Sequence, residues 1–103
     1  MPGADTSSGR RAAALEKVAE ARRARARLSE LLKTGDIALD GVFEVADRDP
    51  IIAGMKLRSV LSSLPRLGKV EAHRLMEEHE IAENARIRGV GSEQRSKLLD
   101  ALA

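Results

Sequence analysis

With 103 residues, 43% of them hydrophobic and 33% charged, the chain is long enough for one small globular domain, and its lack of cysteine excludes disulfides, thiolate metal sites and thiol nucleophiles. The net charge of +2 is unevenly distributed, because residues 1–33 hold eight Lys or Arg against four Asp or Glu, residues 34–55 hold one against five, and residues 56–103 hold nine against seven. An acidic middle between two basic segments suggests one side that faces a polyanion and another that is turned away from it, although solvated helix faces would give the same blocks.

The N-terminus, residues 1–9, is predicted to be disordered, because it is rich in Gly, Ser and Asp and has nothing to bury. The segment MPGADTSSGRR lacks the apolar core of a signal peptide, and no apolar run is long enough to cross a bilayer. We therefore expect a cytoplasmic protein that does not associate with membranes.

A long basic helix is predicted next, over residues 10–34. The segment consists almost entirely of strong helix formers, and Gly35 is a usual C-terminal stop. Leu28, Leu31 and Leu32 have the spacing of a face that packs on a core, so the C-terminal end of this helix is expected to join the body of the protein.

Four arginines crowd the middle of this helix: Arg22, Arg23, Arg25 and Arg27. They fan around the helix axis and are candidate contacts to a nucleic-acid backbone. An equally weighted alternative is a solvated helix face whose partners are Glu16, Glu20 and Glu30.

Residues 35–103 are predicted to form a compact helical body. One helix face is indicated by the i, i+3, i+4, i+7 spacing of Leu39, Val42, Phe43 and Ala46. Asp49 is an N-cap before Pro50 at the first helical position, so a short helix begins there and ends near Gly54. The same helical spacing recurs at Leu57, Val60, Leu61 and Leu64.

Two further helices complete the predicted body. The first runs from the turn at Gly68 through His79, and four of its apolar residues are expected to face the core: Val70, Ala72, Leu75 and Met76. The second follows a turn at Gly89–Gly91 and has Ser92 as its N-cap. Three leucines lie on one of its faces: Leu98, Leu99 and Leu102. Because no segment alternates convincingly between apolar and polar residues, the predicted fold class is all-α, with a long N-terminal helix and a compact helical body.

The segments LPRLGKVEA and RIRGVGSEQ share one design, in which a cationic residue and a glycine turn lead directly into a helix. A helix N-terminus presents unpaired N–H groups and a partial positive charge, and glycine lets a phosphate approach the backbone. The candidate phosphate-binding residues are Arg66, Leu67, Gly68 and Lys69 at the first turn, and Arg86, Arg88, Gly89, Val90, Gly91 and Ser92 at the second. For either turn alone a simple chain reversal is the commoner explanation, but two such turns separated by one helix could hold neighbouring phosphates of one strand.

The segment LPRLGKVEAHRLMEEHEI followed by ARIRGVGSEQRSKLLDAL resembles the helix-two-turns-helix module, which also occurs in the small-subunit ribosomal protein of the S-thirteen type and in formamidopyrimidine-DNA glycosylases. With the long basic helix and the acidic middle included, residues 10–102 are similar to the actinobacterial integration host factors. The resemblance implies a module at about residues 56–103. It also implies a nucleoid-associated protein that binds double-stranded DNA with little sequence preference, bends or compacts it, and assists a phage integrase.

The resemblance carries the family's glycine–lysine turn and its arginine motif onto Gly68, Lys69, Arg86 and Arg88. The family usually has glycine where this chain has Arg66, so the first turn is expected to differ in shape. It commonly has one more arginine where Ala85 stands here, so a cationic contact is missing at the second turn. We hypothesise that Arg66 replaces that charge by approaching the same DNA backbone.

The candidate contacts are Arg and Lys beside backbone N–H groups, with one aromatic residue in the chain and little Asn or Gln for reading bases. Because phosphate contacts carry no sequence information, binding is expected to be sequence-tolerant. We expect a monomer in the absence of DNA.

No enzymatic activity and no cofactor are expected. His73 and His79 are six residues apart on one helix and point in different directions, which argues against a shared metal site. Asp47 and Asp49 are not a catalytic pair, because Asp49 is better explained as a helix cap. Two alternatives to DNA binding stay open at this point: an RNA-binding or ribosome-associated module that uses the same two turns, and a protein-interaction adaptor whose arginines only solubilise it.

Overall fold

A computed structural model describes the backbone of residues 2–103 and the side chains of residues 9–103. In this part of the chain the helices are α1 (Pro2–Thr34), α2 (Leu39–Ala46), α3 (Pro50–Ala53), α4 (Leu57–Ser62), α5 (Lys69–Glu78) and α6 (Ser92–Leu102), with a 3₁₀ turn at Ile87–Gly89 before α6. Residues 2–103 contain no strand, and their one isolated antiparallel bridge joins Lys56 to Arg86. The fold is all-α, as the sequence predicted.

The long helix α1 ends as predicted at Thr34, and Gly35 follows with a positive φ of 79°. Leu28 and Leu32 are buried against the body, whereas Leu31 is 37% exposed and lies at the edge of the contact. The predicted disorder of residues 1–9 falls almost entirely on residues whose side chains lie outside the described part, and it stays a prediction.

The short helices α2 and α3 follow the sequence pattern closely. All four apolar residues of the predicted α2 face are buried: Leu39, Val42, Phe43 and Ala46. At the start of α3 the Asp49 carboxylate accepts a hydrogen bond from the Ile51 amide at 2.9 Å, Pro50 occupies the first turn, and Gly54 caps the C-terminus. The turn between α2 and α3 is therefore closed by side-chain capping chemistry that the sequence displays.

The centre of the body is the packing of α4 against α5. The buried residues of these two helices are all apolar: Leu57, Val60 and Leu61 in α4 and Ala72, Leu75 and Met76 in α5. Burial of each large aliphatic side chain stabilises the fold by about 1.5–3 kcal/mol. Since every buried residue among residues 9–103 is apolar, α4 and α5 are positioned by hydrophobic packing, and their polar faces are left at the surface.

Two sequence-based predictions in this region are wrong. Val70 was expected to face the core but is 76% exposed, because it lies about 200° around the helix axis from the buried Ala72. Ser92 was expected to be an N-cap, but Gly91 holds that position and Ser92 is the first residue of α6. The Gln94 side chain accepts a long, 3.4 Å hydrogen bond from the Gly91 amide, so part of the capping comes from inside the helix.

Candidate nucleic-acid interface

The first turn brings an open glycine to the start of a helix. Gly68 directly precedes α5 and has φ 71° and ψ 174°, a conformation that is essentially restricted to glycine. A Cβ atom at this position would meet nothing within 4 Å, so the backbone is accessible. Lys69 is the first residue of α5, where the amides have no intrahelical acceptor and the helix dipole is positive. The exposed Lys69 side chain and these amides can both face an anion.

The second turn is fastened to the start of α4 by backbone pairing. The Leu57 amide donates to the Ala85 carbonyl at 3.0 Å, and the Ile87 amide donates to the Met55 carbonyl at 2.9 Å. The Arg86 guanidinium adds a hydrogen bond to the carbonyl oxygen of Gly54. These contacts place Arg86 at a fixed position beside Lys56.

Arg95 ties the second turn to α2. Its Nε donates to the Val90 carbonyl at 3.1 Å, its Nη1 lies 3.0 Å from Asp47 Oδ1, and its guanidinium carbon lies 4.8 Å from the centre of the Phe43 ring. Val90 itself is buried, at 3% exposure. Arg95 and Val90 therefore hold the turn in place, and Val90 is not available as a phosphate contact as the sequence had suggested.

Three adjoining depressions form one continuous surface, which we call the basic groove. Its lining residues are Arg25, Gly54, Met55, Lys56, Arg58, Ser59, Ser62, Lys69, His73, Glu83, Asn84 and Arg86. Ser59 borders both the end near Lys69 and the end near Arg86, so the two turns open onto the same surface. The lining contains five Lys or Arg side chains and a single carboxylate, so it favours a polyanion.

The cations of the basic groove differ in whether they already have a partner. Within residues 9–103 no carboxylate lies within 4 Å of the charged groups of Arg25, Lys56, Lys69 or Arg86. Arg58 is paired with Glu83 at 2.9 Å, and His73 lies 3.1 Å from Glu77. Four cations therefore have no carboxylate to compete with a phosphate, and Arg86 keeps further N–H donors beyond its bond to the Gly54 carbonyl.

Comparison with known proteins identifies the family. The chain matches the S13-like H2TH domain family over residues 32–102. It is 49% identical over 90 residues to the integration host factors of Mycobacterium tuberculosis and Mycolicibacterium smegmatis, and the match covers 87% of this chain and 86% of each relative. It is 44% identical over 88 residues to the integration host factor of Streptomyces coelicolor, and this match covers 85% of this chain and 82% of the relative. The chain belongs to the actinobacterial integration host factor family. A solved structure of sIHF bound to an 8-bp palindromic DNA is also similar, with a TM-score of 0.82, 39% identity and coverage of 85% of this chain and 99% of that one.

In this member of the integration host factor family, the predicted site residues do not all lie together. Lys69, Arg86 and Arg25 line the basic groove. Arg66 and Leu67 instead line a separate apolar depression with residues of α2, α6 and the segment before α5. The hypothesis that Arg66 replaces a family arginine at the DNA backbone therefore gains no geometric support and stays a prediction.

The remaining predicted residues lie outside the groove lining. Arg88 Nη1 is 3.4 Å from the position that a Cβ on Gly54 would occupy, so it lies over the end of α3. Gly89, Gly91 and Ser92 are exposed at the start of α6. The other three arginines predicted as contacts in α1 are also exposed and are not among the lining residues: Arg22, Arg23 and Arg27. Of these, Arg23 lies 3.6 Å from Glu16.

Sequence reasoning missed several groove residues: Lys56, Arg58, Ser59, His73 and Asn84. The segment LRS, residues 57–59, has no glycine turn and resembles the polar face of any short helix. Its place in the site follows only from the backbone bridge between Lys56 and Arg86, which brings the start of α4 beside the second turn.

Within the described residues, no group of three or more His, Asp or Glu side chains is placed to hold a metal ion. No helix there combines the length and apolarity that a membrane span requires.

Proposed function

We propose that this chain is an architectural protein of the nucleoid that binds double-stranded DNA through its phosphates, with little sequence preference. The observation that carries the proposal is the basic groove, because it joins both turns and holds four cations without a carboxylate partner. The integration host factor relatives and the DNA-bound sIHF structure support the same function.

The chemistry of the groove favours backbone contacts. Lys69 with the first amides of α5 forms a phosphate site at one end, and Arg86 with Lys56 and Arg25 forms another at the opposite end. The lining has no aromatic side chain for base stacking, and Asn84 is its one side-chain amide. The groove therefore offers one side-chain amide for adenine, and its Arg and Lys side chains stand beside backbone amides, an arrangement that suits phosphate.

The test is the affinity for a random-sequence DNA duplex over a salt series. The logarithm of the association constant should fall with the logarithm of the salt concentration by about 0.9 for each phosphate neutralised. The double variant Lys69→Ala, Arg86→Ala should flatten this slope by about two units. Lys97→Ala is the matched control, because Lys97 pairs with Glu93 on α6 at 3.8 Å and lies outside the groove lining.

A duplex RNA of the same sequence is measured in parallel. Tighter binding of the RNA would replace the proposal with a ribosome-associated function, and no binding of either duplex at low salt would favour a protein-interaction adaptor. Assistance to a phage integrase belongs to the proposal as a consequence of DNA bending. It is tested by the yield of an integrase reaction on supercoiled DNA with the wild-type protein and with the double variant.

A further inference from the structure

The middle of the basic groove is occupied by an ion pair. Arg58 Nη1 and Glu83 Oε1 are 2.9 Å apart, and they connect α4 to the loop after α5. Both residues border the depression that contains Lys69 and the one that contains Asn84. Glu83 is the sole carboxylate among the lining residues, and it binds the cation that lies between the two turns.

The exposure of the pair argues against a role in folding. The side chains of Arg58 and Glu83 are 43% and 65% exposed, and ion pairs at such positions contribute little to stability. The loop is already held by two backbone hydrogen bonds. One joins Ala85 to Leu57 at the start of α4, and the other joins Ile87 to Met55. A carboxylate at this place does have a large effect on a polyanion, since it repels phosphate and competes with it for Arg58.

We propose that Glu83 limits the affinity of this protein for DNA by keeping Arg58 out of phosphate contact. This inference rests on the proposed function, because it concerns the same groove. In the free protein Arg58 is bound to Glu83. Without that carboxylate, Arg58 binds an additional phosphate between the one at Lys69 and the one at Arg86. Glu83 is thus a residue that sets affinity.

The test is a double-mutant cycle of Glu83→Gln and Arg58→Ala, with affinity for random-sequence duplex DNA measured over a salt series. Glu83→Gln should raise affinity on the order of tenfold, the effect of one added charged hydrogen bond. It should also steepen the salt slope by about 0.9, the value for one more phosphate. In the Arg58→Ala background the same substitution should leave the slope unchanged and raise affinity much less.

Glu30→Gln is the matched control for a general loss of negative charge. Glu30 is an exposed carboxylate of α1, is paired with Lys33 at 3.9 Å, and is absent from the groove lining. It should leave the slope unchanged. Thermal unfolding of each variant confirms that the comparison is made between folded proteins.

The outcomes separate this inference from the proposed function. If the wild-type protein binds DNA and Glu83→Gln shows no gain, or shows a loss, the inference is overturned and the function stands. A gain that persists without Arg58, or that Glu30→Gln reproduces, also overturns it. If neither the wild type nor Glu83→Gln binds DNA at low salt, both proposals fail.

Discussion

Among single residues, Gly68 has the least freedom of substitution in the candidate interface. Its φ of 71° with ψ of 174° costs a residue with a side chain about 1–3 kcal/mol. Because a Cβ there would meet nothing within 4 Å, this cost is conformational and not steric. The glycine that leaves the first turn open therefore also determines how α5 begins.

Gly68→Ala should lower the free energy of unfolding by about 1–3 kcal/mol and weaken DNA binding, because the strained backbone relaxes by reorienting the start of α5. Urea unfolding measures the first effect and the duplex titration measures the second. The control is Gly89→Ala: Gly89 also has open space around it but has no positive φ, so the loss of stability should be smaller. Equal losses would contradict the conformational explanation.

Substitutions at Arg25 and Arg23 distinguish two roles for the arginines in the middle of α1, contact with the DNA backbone and solvation of the helix face. Arg25 lines the basic groove, whereas Arg23 lies outside it and 3.6 Å from Glu16. Arg25→Ala should therefore flatten the salt slope of DNA binding by about 0.9, and Arg23→Ala should change it much less. Both substitutions introduce the same helix former, so helix stability is matched. An equal effect would show that α1 contacts DNA with its whole circumference.

At the scale of helices and turns, α6 and α2 together position the second turn, which carries Arg86. Arg95 of α6 makes this connection through three contacts, to the Val90 carbonyl, to Asp47 and to the face of Phe43. Its side chain is 22% exposed, so these contacts are partly shielded from water. The turn is held by an arginine that is not among the lining residues of the basic groove.

Arg95→Met should reduce the free energy of unfolding by about 2 kcal/mol, since it removes charged hydrogen bonds and a cation–π contact while keeping most of the side-chain volume. DNA affinity should fall as well, because the turn that carries Arg86 loses its support. Arg95→Lys keeps the charge and loses the planar geometry, so it should recover only part of the stability. Urea unfolding checks the prediction, and full recovery by lysine would assign the effect to charge alone.

The sequence predicted the helices better than the contacts between them. The α2 face and the Asp49–Pro50 cap are local patterns, and both are confirmed. Val70 was misplaced because an apolar residue in a helical segment does not reveal which face is covered. The pairing of Lys56 with Arg86 joins positions far apart in the chain, and no local pattern indicates it.

For the molecule as a whole, the fold assembles its charge from separate segments. The basic groove combines Arg25 of α1, Lys56 and Arg58 at the start of α4, Lys69 of α5 and Arg86 of the loop before α6. Part of the acidic segment, residues 34–55, stabilises the fold, because Asp47 binds Arg95 and Asp49 caps α3. The uneven charge along the sequence therefore indicated a polyanion-facing side, but the composition of that side required the folded chain.

The last prediction concerns the bending of DNA. We propose one phosphate site at Lys69 and another at Arg86 in the basic groove, and Arg25 brings the long helix to the second of them. Contacts at both ends can offset the bending of a 20–30-bp duplex, which costs about 1–6 kcal/mol. A 30-bp duplex labelled at both ends should therefore show increased energy transfer when saturated with protein. Lys69→Ala and Arg86→Ala should each reduce this increase even at saturation, because one end of the groove is lost, whereas Lys97→Ala should not. If the saturated wild-type complex shows no change in energy transfer, the protein binds DNA without bending it, and the architectural part of the proposed function would have to rest on compaction by many bound copies.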